Sequence, residues 1–119
     1  MVMTSQKVID INWIILIIAG LFEVGFTTCL SKVRTAPPEQ MIYWWTGFAV
    51  SLFLSMYLLF KSTQHLPMGT AYAVWTGIGA LGTVLIGIFM FREPADFLRI
   101  FFLLLLIVSI VGLKLATAK

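Results

Sequence analysis

MGTAYAVWTGIGALGTVLIGIFMF, residues 68–91, carries no charged side chain, and its length decides the fold class. A helix rises about 1.5 Å per residue, so roughly 20 apolar residues cross the ~30 Å hydrocarbon layer of a bilayer. Upstream, Met41 to Phe60 is also free of charge, and Ile11 to Leu30 is apolar apart from Asn12, Glu23 and the threonines Thr27 and Thr28. The fourth run is shorter, because Arg99 and Lys114 bound the uncharged stretch Ile100 to Leu113. Their flexible stems can lift both charges to opposite headgroup layers, which extends that span to about Phe97 to Ala118. The expectation is an all-α membrane protein with four transmembrane helices, at about 11–31, 41–61, 67–91 and 97–118, in a single domain over residues 1–119.

Composition agrees. Of 119 residues 61% are hydrophobic and 11% charged, with a mean hydropathy of +1.03, whereas soluble domains carry about a quarter charged residues. Four spans leave only short connections and no soluble domain, so any chemistry must lie within the bilayer. Four helices also form a thin bundle, and a solvent-accessible cavity is expected to need a second copy of the chain. Lys7 ahead of an apolar run resembles a signal peptide, but no small-residue cleavage pattern follows and Glu23 interrupts the run, so a retained span is expected. Cys29 is the single cysteine, which excludes an intrachain disulfide. There is no phosphate-binding loop, no Cys/His metal spacing and no nucleophile triad, and His65 is a lone loop residue. No enzyme activity, cofactor or metal is expected.

Charge carries information about orientation. In a four-span chain one side holds Lys7, Lys61, Lys114 and Lys119, and the other holds Lys32, Arg34, Arg92 and Arg99. Orientation normally follows an excess of Lys and Arg in cytoplasmic loops. A chain without that excess is expected to insert both ways and to pair antiparallel with itself. The net charge of +3 reads as anchoring to membrane lipids, since no basic stripe suits nucleic acid.

Of the five acidic residues, Asp10, Glu39, Glu93 and Asp96 fall in the tail or loops, while Glu23 lies near the middle of the first span. A carboxylate at that depth is disfavoured by several kcal/mol unless it holds a proton, pairs with a cation or faces water. All eight basic residues lie in tails, loops or at span ends, so no fixed counter-ion is available. A proton or a cationic ligand is the expected partner, and one site that holds either in turn is the minimal physics of exchange.

On the third span Tyr72, Trp75, Thr76 and Gly79 recur at i, i+3, i+4 and i+7, along one helical face. Aromatic rings attract cations by about 0.5–2 kcal/mol, so this face suits a cation site beside Glu23, although Trp and Tyr also serve as interfacial anchors, the better reading for Trp44 and Trp45. Gly69, Ala73 and Gly77 form one row of small residues and Gly79, Thr83 and Gly87 another, both read as helix-packing rows. The glycines Gly77, Gly79 and Gly82 also permit a kink. Ser55, Thr27, Thr28 and Ser109 are hydroxyl residues of the kind that bonds back to its own helix.

GLFEV at residues 20–24, LPMGTAYAVWTGIGA at 66–80, REP at 92–94 and VGLK at 111–114 together resemble the small multidrug resistance family of transporters. The resemblance spans nearly the whole chain. It implies a multi-pass protein of the bacterial inner membrane, working as an antiparallel, dual-topology homodimer that exports small organic cations in exchange for protons. The two copies of Glu23 would form the shared site. By motif position Tyr72 and Trp75 match the family's aromatic site residues, and Ser55, in SMYLL, a polar residue near the carboxylate. WTGIGA favours the guanidinium-exporter branch, whereas Thr27 and Thr28 lean towards the multidrug branch. Phe26, in the site three residues after Glu23, fits neither, and Ser31 stands where the family usually has Lys. Substrates are thus guanidinium-like compounds or quaternary ammoniums. The alternatives are a lipophilic-cation multidrug exporter and one subunit of a heteromeric pair.

Overall fold

The computed structural model describes the backbone of residues 2–117 and the side chains of residues 11–116. It contains four helices, α1 (Val2–Val33), α2 (Met41–Ser62), α3 (Met68–Met90) and α4 (Phe97–Thr117), with one short 3₁₀ turn at Pro38–Gln40. Each holds a stretch long and apolar enough to span a membrane: Ile11–Val33, Pro38–Ser62, Met68–Met90 and Phe97–Ala116. The chain is an all-α, multi-pass membrane protein.

Helix α1 departs from the expected bounds. It starts at Val2 rather than near residue 11, so Lys7 and Asp10 lie on helical backbone instead of an extended tail. No proline or glycine occurs before Gly20, and nothing in that stretch breaks the helix. The other boundaries follow local chemistry. Pro37 and Pro38 follow α1, and Pro67 precedes α3, where a missing backbone N–H costs nothing. Asp96 Oδ1 accepts from the Arg99 backbone N–H at 3.0 Å and caps α4. At the end of α3 the backbone N–H groups of Phe91 and Glu93 both donate to the Gly87 carbonyl, at 3.1 and 3.0 Å. Arg92 makes that turn with φ 56°. Helix α3 runs unbroken through its glycines.

Helix α1 packs against α2 and α3, while α4 lies along α3. The core is small: Trp13, Leu16 and Ala19 of α1 meet Ala71, Val74 and Trp75 of α3, with Leu66 from the preceding loop. The molecule measures 55 × 35 × 18 Å, a slab rather than a bundle. Its two ends are marked by cations over rings, with Lys114 Nζ 6.0 Å from the Trp13 ring at one. At the other, Lys32 Nζ lies 5.8 Å from the Trp44 ring and 5.6 Å from the Phe91 ring. That pairing is what four successive crossings require. Among the described residues of α4 only Leu103 is buried, with Leu106, Ile110 and Leu113 half-buried along the same stripe. Gly77 serves this seam, since a Cβ there would meet Ile110 Cδ1 at 3.0 Å.

Candidate functional site

The site is assembled where α1, α2 and α3 converge. Ser55 of α2 is fully buried, and its hydroxyl donates to the Ala19 carbonyl of α1 at 2.7 Å. The Trp75 indole of α3 donates to the same hydroxyl oxygen at 2.9 Å. One small side chain therefore ties three helices, one turn along α1 from Glu23. Within the protomer the single Ser55 proton goes to the Ala19 carbonyl and not to the carboxylate. It fixes the helix that carries Glu23.

Glu23 enters the α1–α3 interface at Gly79. A Cβ at residue 79 would overlap the Glu23 carboxyl carbon and Oε1, so no side chain larger than hydrogen leaves room for the carboxylate there. Oε1 is buried and receives no hydrogen bond from the described residues. The ion pair found among those residues joins Glu93, in the loop between α3 and α4, to Arg99 in the first turn of α4 at 2.6 Å, so no described cation neutralises Glu23.

The aromatic face expected on α3 divides into two adjacent rows. Trp75 is 6% exposed and Tyr72 58%; Thr76 lies with Tyr72 on the exposed row, and Gly79 with Trp75 on the buried one. Residues three apart on a helix differ by about 60° in direction, which separates the rows. The Tyr72 and Trp75 rings remain in contact, with centroids 5.6 Å apart. Phe26 turns towards α2, edge-on to Phe48 at 5.9 Å, and Phe48 in turn meets Trp45 at 5.6 Å. Glu23, Ser55, Trp75 and Gly79 therefore converge within one chain, while Tyr72 and Phe26 flank them on separate surfaces.

The second small-residue row on α3 lies against polar side chains. Gly79 accommodates the Glu23 carboxyl, and a Cβ on Gly87 would press on the Glu93 carboxylate. Thr83, between them, is 2.7 Å from the Thr27 hydroxyl. Thr27 does bond back to its own helix, donating to the Val24 carbonyl at 3.0 Å, but it also reaches across to α3. Thr83 was legible as a candidate because it follows Gly79 by four residues, as Thr27 follows Glu23. Among the described residues no group of three His, Cys, Asp or Glu side chains could hold a metal.

Comparison with known proteins fits this arrangement. The family model described as Small Multidrug Resistance protein matches residues 11–106. A protein of Yersinia pseudotuberculosis named "Guanidinium exporter" is 43% identical over 109 residues, covering 88% of this chain and 98% of the relative. One of the same name from Escherichia coli K12 is 41% identical over 110 residues, covering 89% and 98%. The "Probable guanidinium efflux system subunit GdnD" of Bacillus licheniformis is 42% identical over 104 residues, covering 87% and 97%. With its four spans, its intramembrane carboxylate and these matches, the chain belongs to the small multidrug resistance family of bacterial inner-membrane proteins, among relatives of the guanidinium-exporter branch.

Proposed function

We propose that this protein exports small organic cations, guanidinium-like compounds foremost, in exchange for protons, as an antiparallel homodimer in which two copies of Glu23 share one site. The observation that carries the reading is the Glu23 carboxylate. It is held at mid-span with one oxygen buried and without a donor among the described residues, and a group so placed requires a proton or a cation to neutralise it. Proton and cation compete for the same charge, so loading one releases the other. Trp75, held by Ser55, and Tyr72 supply ring faces for a flat cation. The relatives named as guanidinium exporters support guanidinium as substrate. The thin slab and the nearly unburied α4 support a second copy to close the site.

Reconstituted transport tests the reading. A pH gradient should drive guanidinium uptake by the wild type, and Glu23→Gln, similar in shape but unable to ionise, should abolish it. Retained proton-driven uptake in Glu23→Gln would reject the mechanism. Currents with guanidinium set against a hydrophobic quaternary ammonium then decide the substrate branch, with Phe26 the position to vary.

A second reading has its own support. The Bacillus licheniformis relative is named as a system subunit, which is the reading of this chain as half of a heteromer. Purified alone, a homodimer binds guanidinium; a chain that binds only beside a second protein is a heteromer subunit.

A further inference from the structure

We propose that each protomer contains its own path for protons, running from the loop between α3 and α4 along the α1–α3 interface to Glu23, with the Thr27–Thr83 hydroxyl pair as its inner relay. The inference rests on the exchanger reading and adds to it a route separate from the site shared by two copies.

Register is the first support. Helices α1 and α3 cross in the same direction, and Thr27 and Thr83 are paired across them. The same offset pairs Glu23 with Gly79 and Ser31 with Gly87, each pair one turn, about 6 Å, beyond the last. All three levels carry a small or polar side chain on both helices. Two close apolar contacts between these helices at the same depth, Ile78 on Gly20 and Val24 on Gly82, lie beside this stripe rather than on it.

Space is the second. A cavity of about 80 Å³ has Thr27, Thr28, Ser31, Thr83, Gly87, Glu93 and Arg99 in its lining, with Val84, Ile86 and Phe91 as its apolar wall. A water needs about 10–15 Å³ of such space and two or more polar partners, so the cavity has room for several beside its hydroxyl groups. A second cavity of about 240 Å³, lined by Arg34 and Thr35, shares Ser31, Phe91 and Glu93 with the first and carries it outward to the loop surface. The inner end stops at the threonine pair, one turn from the carboxylate. The two cavities therefore lead from the membrane edge to the Thr27–Thr83 contact and end there.

Hydrogen-bond polarity explains the stop. Thr27 gives its hydrogen to the Val24 carbonyl, so the bond between the two hydroxyls is donated by Thr83. The Thr83 oxygen is left to accept from water in the cavity. A proton entering as hydronium past Glu93, which lines both cavities, passes along waters in them to Thr83, which takes it as it releases its own hydrogen to Thr27. Thr27's hydrogen must swing from the Val24 carbonyl to Glu23 for the last transfer. Only O–H bonds form and break, and one proton enters for each that reaches the carboxylate. Closure matters because antiparallel partners would open one such path to each side of the membrane, and two open paths would short-circuit the gradient.

The test uses proteoliposomes of wild type, Thr83→Val, Thr83→Ser and Ser31→Leu, measuring guanidinium affinity and guanidinium-driven proton flux separately. Valine keeps the shape of threonine without its hydroxyl, and leucine at residue 31 fills the cavity segment shared by both halves. Expected are near-wild-type affinity in all four, proton flux slowed roughly tenfold or more in Thr83→Val and Ser31→Leu, and recovery in Thr83→Ser. Undiminished flux in Thr83→Val beside a coupled wild type overturns the path alone. Lost guanidinium binding in Thr83→Val, or no recovery in Thr83→Ser, assigns the hydroxyl to folding or to the substrate and also overturns it. A wild type that moves guanidinium without protons overturns the exchanger reading and the path together.

Discussion

Glu23 and Gly79 form one unit. The carboxylate reaches its position because residue 79 has no side chain, and the energetic argument for exchange, several kcal/mol against an unneutralised carboxylate at mid-span, applies only to a group held there. Gly79→Ala should displace the carboxyl group and weaken guanidinium binding by about tenfold, a change of about 1.4 kcal/mol, with the protein still folded; titration of guanidinium against tryptophan fluorescence measures it. Glu23 could be singled out in the sequence because it is the one acid inside an apolar run, and depth in a bilayer is a property of sequence length. Its neighbour at 79 was legible as a member of a small-residue row and of the aromatic face beside Glu23, but not as the residue that the carboxyl group meets. Which side chain a glycine faces depends on the rotation of two helices about their axes, which a row of small residues does not encode.

At the scale of helices, the four spans follow from hydropathy, and the structure moved one boundary far, the start of α1. The hydrogen bonds between spans were less accessible. The Ser55 hydroxyl was expected near the carboxylate; its place on the Ala19 carbonyl, with the Trp75 indole donating to it, depends on how α2 leans over α1. Ser55→Ala removes the acceptor for the buried indole N–H, and an orphaned buried donor costs about 1–3 kcal/mol. A lower melting temperature in detergent, together with a shift in tryptophan emission, is the expected result, and Ser55→Thr should restore much of both. Because this bond spans three helices, its loss should also lower guanidinium affinity although the Ser55 hydroxyl bonds to Ala19 and Trp75 rather than to Glu23.

At the scale of the molecule, the slab shape and the even division of Lys and Arg belong together. A slab 18 Å thin cannot enclose a site by itself, and a chain with no charge bias has no reason to present one face only. On the proposed antiparallel pairing, the wild type inserts in both orientations. Gln64→Lys with His65→Lys, both in the exposed loop between α2 and α3, adds two charges to one side. This variant should fix a single orientation, detectable by labelling a loop cysteine from each side of the membrane, and should transport poorly alone. Co-expression with a chain biased the opposite way should restore transport.

The central claim is that proton and cation occupy the same carboxylate in turn, and the number of protons released as guanidinium binds measures this most directly. In weakly buffered detergent solution, guanidinium added to the wild type should release protons in proportion to the sites filled, its affinity should rise with pH as proton competition falls, and Glu23→Gln should release none. Guanidinium binding to the wild type with no proton release at any pH would contradict the account.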